Sequence, residues 1–378
     1  MIASLAERAH YPALAERIYL NQASLGLIAQ PAVSAMHTFL ENVARYGNIN
    51  MTDSAEMQYC DALRDCAAKL LRGEPSKVAI VASASEILGQ FPLFLSLEKG
   101  DTVLAVSSDF PAITRPWLRQ SLLGTVRVHF VDDLPECDLT KTLIDAVDEH
   151  TRVIAISMVQ YATGTVVDVM QVAEVAARVG AFLIVDATQA AGAIAVDTSR
   201  LGADAVVTSG YKWLGGHGGV ALAWVSERLS RQLPVLPGWM GAPSPFEFDA
   251  RAVSFAPTAR RFTLSTMSYV SVAGLTTAIE QLLSLGGPEV ETHARKLAMM
   301  LIEGVREYGW KPFRDFGSPW ASPHIISLAH NRKPAGAAVE KLYKRGIVCS
   351  TRNNRVRISL APYNDSTDVA TVVEAFSV

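Results

Sequence analysis

Between residues 78 and 225 the chain alternates short, almost wholly apolar runs with segments patterned as helices. The runs are KVAIVA, DTVLAV, TVRVHFV, RVIAISMV, AFLIVD, ADAVVTSG and GVALAWV, and most are separated by stretches such as VMQVAEVAARVG. Strands that are apolar at successive positions, rather than at every second one, are buried on both faces. Such strands are joined by helical crossovers. The pattern therefore predicts an α/β fold: a mostly parallel sheet of seven strands covered by helices. In sheets of this kind the chemistry gathers at the carboxyl ends of the strands.

Beyond residue 225 the pattern changes. LPVLPGWMGAPSP, 233 to 245, is rich in proline and glycine and reads as a loop, placed to line a substrate pocket with its tryptophan. Long helical patterns start near Met267 and Pro288, and the tail reads strand, helix, two strands, helix. At 378 residues the chain is too long for one core to be the simplest solution. Two lobes are expected: a large one over 15–265, preceded by an N-terminal segment 1–14, and over 266–378 an interdomain helix with a small α+β domain.

Charge excludes some functions. There are 34 basic and 37 acidic residues, with no basic run to hold a nucleic acid or an anionic membrane. The N-terminus lacks the apolar core of a secretory signal, and the most apolar stretch near residue 90 is interrupted by Gln90 and Pro92. Cys60, Cys66, Cys137 and Cys349 show no C-x-x-C spacing. No metal site is expected, and a cytoplasmic location is.

Three features carry chemistry. Asp186 closes the apolar run AFLIVD, where a carboxylate needs a partner; it would serve equally as the cap of a following helix. Lys212 follows ADAVVTSG and sits among small residues that solvate an amine poorly. That environment lowers a lysine pKa and favours Schiff-base chemistry, although most lysines snorkel to the surface. Ser83-Ala84-Ser85-Glu86 joins a strand to a helix, and reads either as a phosphate cradle or as a plain capping box. A phosphate seat, a carboxylate and a reactive lysine are together what pyridoxal 5′-phosphate requires.

Residues 19 to 378 resemble the class V aminotransferase family of fold-type I pyridoxal-phosphate enzymes, which includes cysteine desulfurases, kynureninase-like lyases and isopenicillin N epimerase-like proteins. Eight segments carry the likeness in family order: IYLNQASLGLI, VASASEIL, SSDFPAITRPWLRQ, MVQYATGTVVDV, IVDATQAAGAIAVD, TSGYKWLGGHGG, RRFTLSTMSY and RVRISLAPYND. The resemblance implies that Lys212 carries the cofactor as a Schiff base and that Asp186 pairs with the pyridine nitrogen. It implies that Gln189 faces the cofactor's phenolic oxygen and that Phe110 stacks on the ring. Ser83, Ala84, Ser85, Ser209 and Tyr211 would hold the phosphate, and Thr266 would reach it from the other subunit of a homodimer. Arg357 would clamp the α-carboxylate of an amino-acid substrate, with Asn21 beside it; the planar guanidinium suits that task.

Departures from the family narrow the reaction. GIVCSTRNNRVRIS is too short for the loop that carries a desulfurase's cysteine, which argues against desulfuration. The desulfurase branch also has a histidine where this chain has Tyr211, and histidine or asparagine at Phe110 and Tyr161. Aromatic rings at these places leave the proton traffic mainly to Lys212, which suits transamination or racemisation by one base. A lyase or epimerase is the next reading, and a non-catalytic pyridoxal-phosphate binder the third. Dinucleotide, serine acyl-enzyme and metalloenzyme chemistry lack their motifs: G-x-G-x-x-G, S-D-N with K-T-G, and H-E-x-x-H are absent.

Overall fold

The computed structural model describes residues 1–377. An opening strand, β1 (Ile18–Tyr19), leads into helices α1 (Gln30–Tyr46) and α2 (Asp53–Leu71). The seven apolar runs then form β2 (Val78–Val81), β3 (Thr102–Val106), β4 (Arg127–Val131), β5 (Thr151–Ser157), β6 (Phe182–Asp186), β7 (Ala205–Ser209) and β8 (Ala221–Val225). They make one sheet in the order β2-β8-β7-β6-β5-β3-β4. Only β8 runs against the others, pairing antiparallel with both β2 and β7. β2, β3, β5, β6, β7 and β8 are buried nearly throughout, as strands covered on two faces must be. Each fully buried Val, Ile or Leu contributes roughly 1.5–3 kcal/mol of transfer free energy.

Crossover helices have readable ends. Helix Val169–Val179 starts at Asp168, whose carboxylate accepts from the N–H groups of Met170 and Gln171, and stops at Gly180 with φ +73°. Helices α3 (Ala84–Phe94) and α4 (Pro111–Leu122) follow β2 and β3, so their N-termini lie at the carboxyl end of the sheet.

After β8 the segment through residue 258 holds only a one-turn helix, Glu227–Ser230, and two short 3-10 turns. A long helix, Tyr269–Leu285, returns to the large lobe and buries Tyr269, Val272, Leu275 and Ile279 in its core. The small lobe is an antiparallel sheet of β9 (Lys311–Pro312), β10 (Ile325–Ala329), β12 (Ser350–Arg352) and β13 (Arg355–Ser359), in the order β12-β13-β10-β9. Helices Gly287–Arg306 and Ser366–Ser377 cover it.

The expected run IVCST divides at Cys349, because β11 (Ile347–Val348) leaves the sheet to pair in parallel with β1. Ile18 and Leu20, within the span assigned from sequence to the large lobe, pack into the small-lobe core. The reason is the β1–β11 pairing, which a two-residue strand does not advertise in sequence. Among the described residues no helix is long and apolar enough to cross a membrane.

Candidate active site

The carboxyl ends of β2, β3, β5, β6 and β7 open onto one pocket, lined by residues that include Ser83, Phe110, Tyr161, Asp186, Tyr211 and Lys212. Lys212 is 7% exposed, and its Nζ has no hydrogen bond or ion pair among the described residues. The amine lies 5.2 Å from the centre of the Phe110 ring and 5.8 Å from that of Tyr211. Burial pushes its pKa down to about 8; Arg357 and Arg352 push the same way, and Asp186 opposes them. Snorkelling is thereby ruled out.

The backbone here is held from outside the strand. Gln22 Nε2 donates to the Lys212 carbonyl at 2.9 Å, and the Gly26 N–H donates to the Tyr211 carbonyl at 2.9 Å. Gly215, at φ +69°, turns the chain back so that its N–H also reaches the Lys212 carbonyl. A Cβ on Gly26 would stand 2.3 Å from that same oxygen. Gly26→Ala therefore forces the lysine segment to move. It should cost about 1–3 kcal/mol in urea unfolding, as overpacking does, and slow reaction of Lys212 with aldehydes.

Asp186 ends β6 with 5% exposure, and its Oδ1 accepts from the Thr188 N–H at 2.8 Å. The bond caps a tight turn rather than a helix. Burial raises its pKa, while Thr188 and Lys212 pull it back down. Beside it is Asp109, a buried carboxylate that the sequence reading passed over. Asp109 accepts from Ser157 N and Oγ, from Gln160 Nε2 and from the Phe110 N–H, and burial lifts it to about 6. Its work is to fix the loop that presents Phe110, whose ring meets Tyr161 edge-on at 5.4 Å.

Ser83 resolves the choice between cradle and cap by being compatible with both. Its Oγ accepts from the Glu86 N–H at 3.1 Å, and Glu86 Oε2 accepts from the Ala82 N–H at 2.9 Å. The hydroxyl proton of Ser83 is still free to donate. Ala84 and Ser85 add first-turn N–H groups that an α-helix leaves without intrahelical acceptors.

Gln189 lines the pocket, but its amide is engaged. Nε2 donates to the Ala23 carbonyl at 3.0 Å, and Oε1 accepts from Trp213 Nε1 at 2.8 Å. Behind it lies His324 from the small lobe, also missed in sequence. Its Nε2 is 2.6 Å from the Gln189 carbonyl, so that nitrogen carries the proton, and its ring meets Trp213 edge-on at 4.5 Å. Burial lowers its pKa to about 4, leaving it neutral. The signal was a histidine at the mouth of a strand (SPHIIS), too common to single out.

Arg357 is buried, donating to the Tyr161 carbonyl at 2.8 Å and to Ser24 Oγ at 2.5 Å. Its Nε and the Oδ1 of Asn21 are both buried without a partner. Thr266 is exposed and does not line the pocket of its own chain. The proline-rich loop lines a separate cavity, around Trp239 and Phe248, and contributes nothing to the Lys212 pocket of this chain. Its three aromatic rings, Trp239, Phe246 and Phe248, pack on one another instead, with centroids 5.8–6.1 Å apart.

A cation-ready carboxylate, an unpartnered buried amine, an open helix N-terminus and a buried guanidinium with a spare N–H form a set that fits pyridoxal phosphate and an amino acid. Among the described residues no histidine or cysteine lines the pocket, and no group of side chains could hold a metal ion.

Comparison with known proteins agrees. The family described as Aminotransferase class-V matches residues 18–372. A Bacillus subtilis protein, described as the uncharacterized aminotransferase YcbU, is 26% identical over 96% of this chain and 95% of its own. A probable cysteine desulfurase of Aeropyrum pernix is 27% identical over 91% of this chain and 86% of its own. Among solved structures, the cystine C–S lyase C-DES, in complex with its product cysteine persulfide, superposes with a TM-score of 0.88 at 20% identity. That match covers 97% of this chain and 99% of the lyase, and is a likeness of fold.

Proposed function

The chain belongs to the class-V aminotransferase family, fold-type I enzymes that use pyridoxal 5′-phosphate, and from that premise we propose that it transaminates an amino acid. When bound, the cofactor supplies an electron sink for the bond broken at the α-carbon. Lys212 would hold it covalently and then take the α-carbon proton; with a pKa of about 8, part of the amine is neutral at physiological pH. Asp186 would face the pyridine nitrogen and keep it protonated. Ser83, Ser209, Tyr211 and the N–H groups of Ala84 and Ser85 would hold the phosphate, aided by the N-terminal dipole of α3. Phe110 would cover one face of the ring and exclude water, and Gln189, set by Trp213 and His324, would approach the phenolic oxygen. Arg357 would orient the substrate carboxylate, with Asn21 beside it. The proposed assembly is a cytoplasmic homodimer in which an exposed Thr266 serves the partner's phosphate site.

One observation supports transamination above the rest: among the described residues Lys212 is the only amine or imidazole lining the pocket. A single base placed at the α-carbon can carry a proton away and return one without a second acid. β-Elimination is the second reading, favoured by the likeness in fold to the C–S lyase. Incubation with a panel of amino acids tests both. Transamination yields the aminated cofactor and a keto acid. Release of pyruvate with sulfide, and no aminated cofactor, assigns the chain to the lyases instead.

Cysteine-based desulfuration has little to work with. Cys349 is packed against the small-lobe core, and burial pushes its thiol up to about 12. The strand that follows it turns back through only Asn353 and Asn354, at φ +46° and +55°, so no mobile loop carries the sulfur to the pocket. Cys349→Ser should leave the rate of substrate consumption within about twofold, since the thiol is packed in the small lobe and takes no part in the Lys212 pocket. A loss of a hundredfold or more would restore the desulfurase reading.

A further inference from the structure

Two arginines meet at this site, and only one has been given work. The hairpin of β12 and β13 sets Arg352 opposite Arg355 and Ser350 opposite Arg357. Directly opposed residues project from the same face of a sheet, so all three guanidiniums leave from one face of the hairpin. Arg355 lies over the ring of Phe313 at 4.8 Å. Arg352 and Arg357 instead converge on one hydroxyl: Ser24 Oγ accepts from Arg352 Nη2 at 3.2 Å and from Arg357 Nη2 at 2.5 Å.

Neither cation is neutralised by the protein. Among the described residues no carboxylate stands within 4.0 Å of either one. Their partners are neutral oxygens: Ser24 for both, the Tyr161 carbonyl for Arg357 and the Thr351 carbonyl for Arg352. Ser350 and Ser327, the residues paired with Arg357 on its two flanking strands, each bury an Oγ with no partner, as does Arg357 at Nε. Arg357 donates to the carbonyl of Tyr161, which lines the Lys212 pocket, and Ser24 joins Arg352 to Arg357 there, so the pair sits at the edge of that pocket. Asp186 accepts from the Thr188 N–H and makes no ion pair with either arginine. The site thus holds two cationic forks where an α-carboxylate can neutralise one. A guanidinium left unpaired in a partly desolvated site is costly, and a second anion removes that cost.

We propose that the substrate is an amino acid with an acidic side chain, its α-carboxylate held by Arg357 and its side-chain acid by Arg352. The inference rests on the reading of the site as an amino-acid site. Arg352 is then the residue that sets specificity.

Calorimetric titration of the cofactor-loaded protein with succinate and with butyrate tests it, since the two have four carbons and differ in one carboxylate. Succinate should bind at least about tenfold more tightly, the scale of one charge-assisted bidentate contact. In Arg352→Gln that preference should collapse to within about threefold, with butyrate affinity unchanged. Equal binding of both acids by the wild type would overturn the proposal. So would an Arg352→Gln variant that loses both acids equally, because Arg352 would then merely position Ser24 or share a single carboxylate. Failure of the underlying reading looks different: no amino acid, acidic or neutral, changes the absorption of the cofactor, and that result overturns both.

Discussion

Lys212→Ala should abolish the borohydride-stable link between cofactor and chain and lower turnover at least about a thousandfold, the combined scale of losing a covalent anchor and a general base. The physical ground is that the amine is buried without a protein partner and destabilised as a cation by its surroundings. Reduction with borohydride, proteolysis and mass spectrometry of the peptide around Tyr211 reads the link directly. Cofactor still attached to the variant at another lysine would sink the assignment. The pH dependence gives an independent check. Below pH 8 the amine is largely protonated and inert, and above pH 8 it is largely neutral. The rate at which cofactor-free protein takes up pyridoxal phosphate should therefore rise with pH and level off, with its midpoint near 8 rather than near the ordinary 10.5. Arg352→Gln should move that midpoint upward, because it removes one of the positive charges that press the proton off Lys212.

Much of this was legible because the relevant physics is local in sequence. β2 to β8 announced themselves as apolar runs, and a parallel sheet places whatever follows each run at one edge; Asp186 and Lys212 could be assigned to the same site on that ground alone. Residues whose role depends on long-range pairing were not legible. β1 is two residues long and exists because β11 pairs with it 329 positions away. Asp109 sits in a quoted segment, yet its four hydrogen-bond donors come from Phe110, Ser157 and Gln160, and only the fold brings these together. His324 works by contact with Trp213 and the Gln189 carbonyl, from a lobe that sequence treats as separate. The loop 233–245 was legible in part for a related reason. Proline and glycine predicted its irregular path, but not that Trp239 would pack on Phe246 and Phe248, just beyond the loop, away from this chain's own Lys212 pocket.

Asp186→Asn should act in opposite directions on stability and on function. In the cofactor-free protein Asp186 is a buried carboxylate, with Thr188 as its hydrogen-bond partner and no ion pair. Burial raises its pKa, so the folded state binds a proton more readily than the unfolded state, and stability falls as pH rises from about 4 through the raised value. Above that value the whole cost of the buried charge is present. An amide of the same shape keeps the Thr188 hydrogen bond and carries no charge, which removes the cost. The variant without cofactor should thus be at least as stable as the wild type at pH 7, by urea unfolding, and should lack this falling limb at acid pH. With cofactor the sign reverses. An amide cannot hold a proton on the pyridine nitrogen, so turnover should drop by about 10²–10⁴, the range ascribed to a positioned proton donor or acceptor. A variant that is both unstable without cofactor and fully active with it would show that Asp186 is a structural cap. The expected split marks a charge that the fold tolerates for the sake of what binds above it.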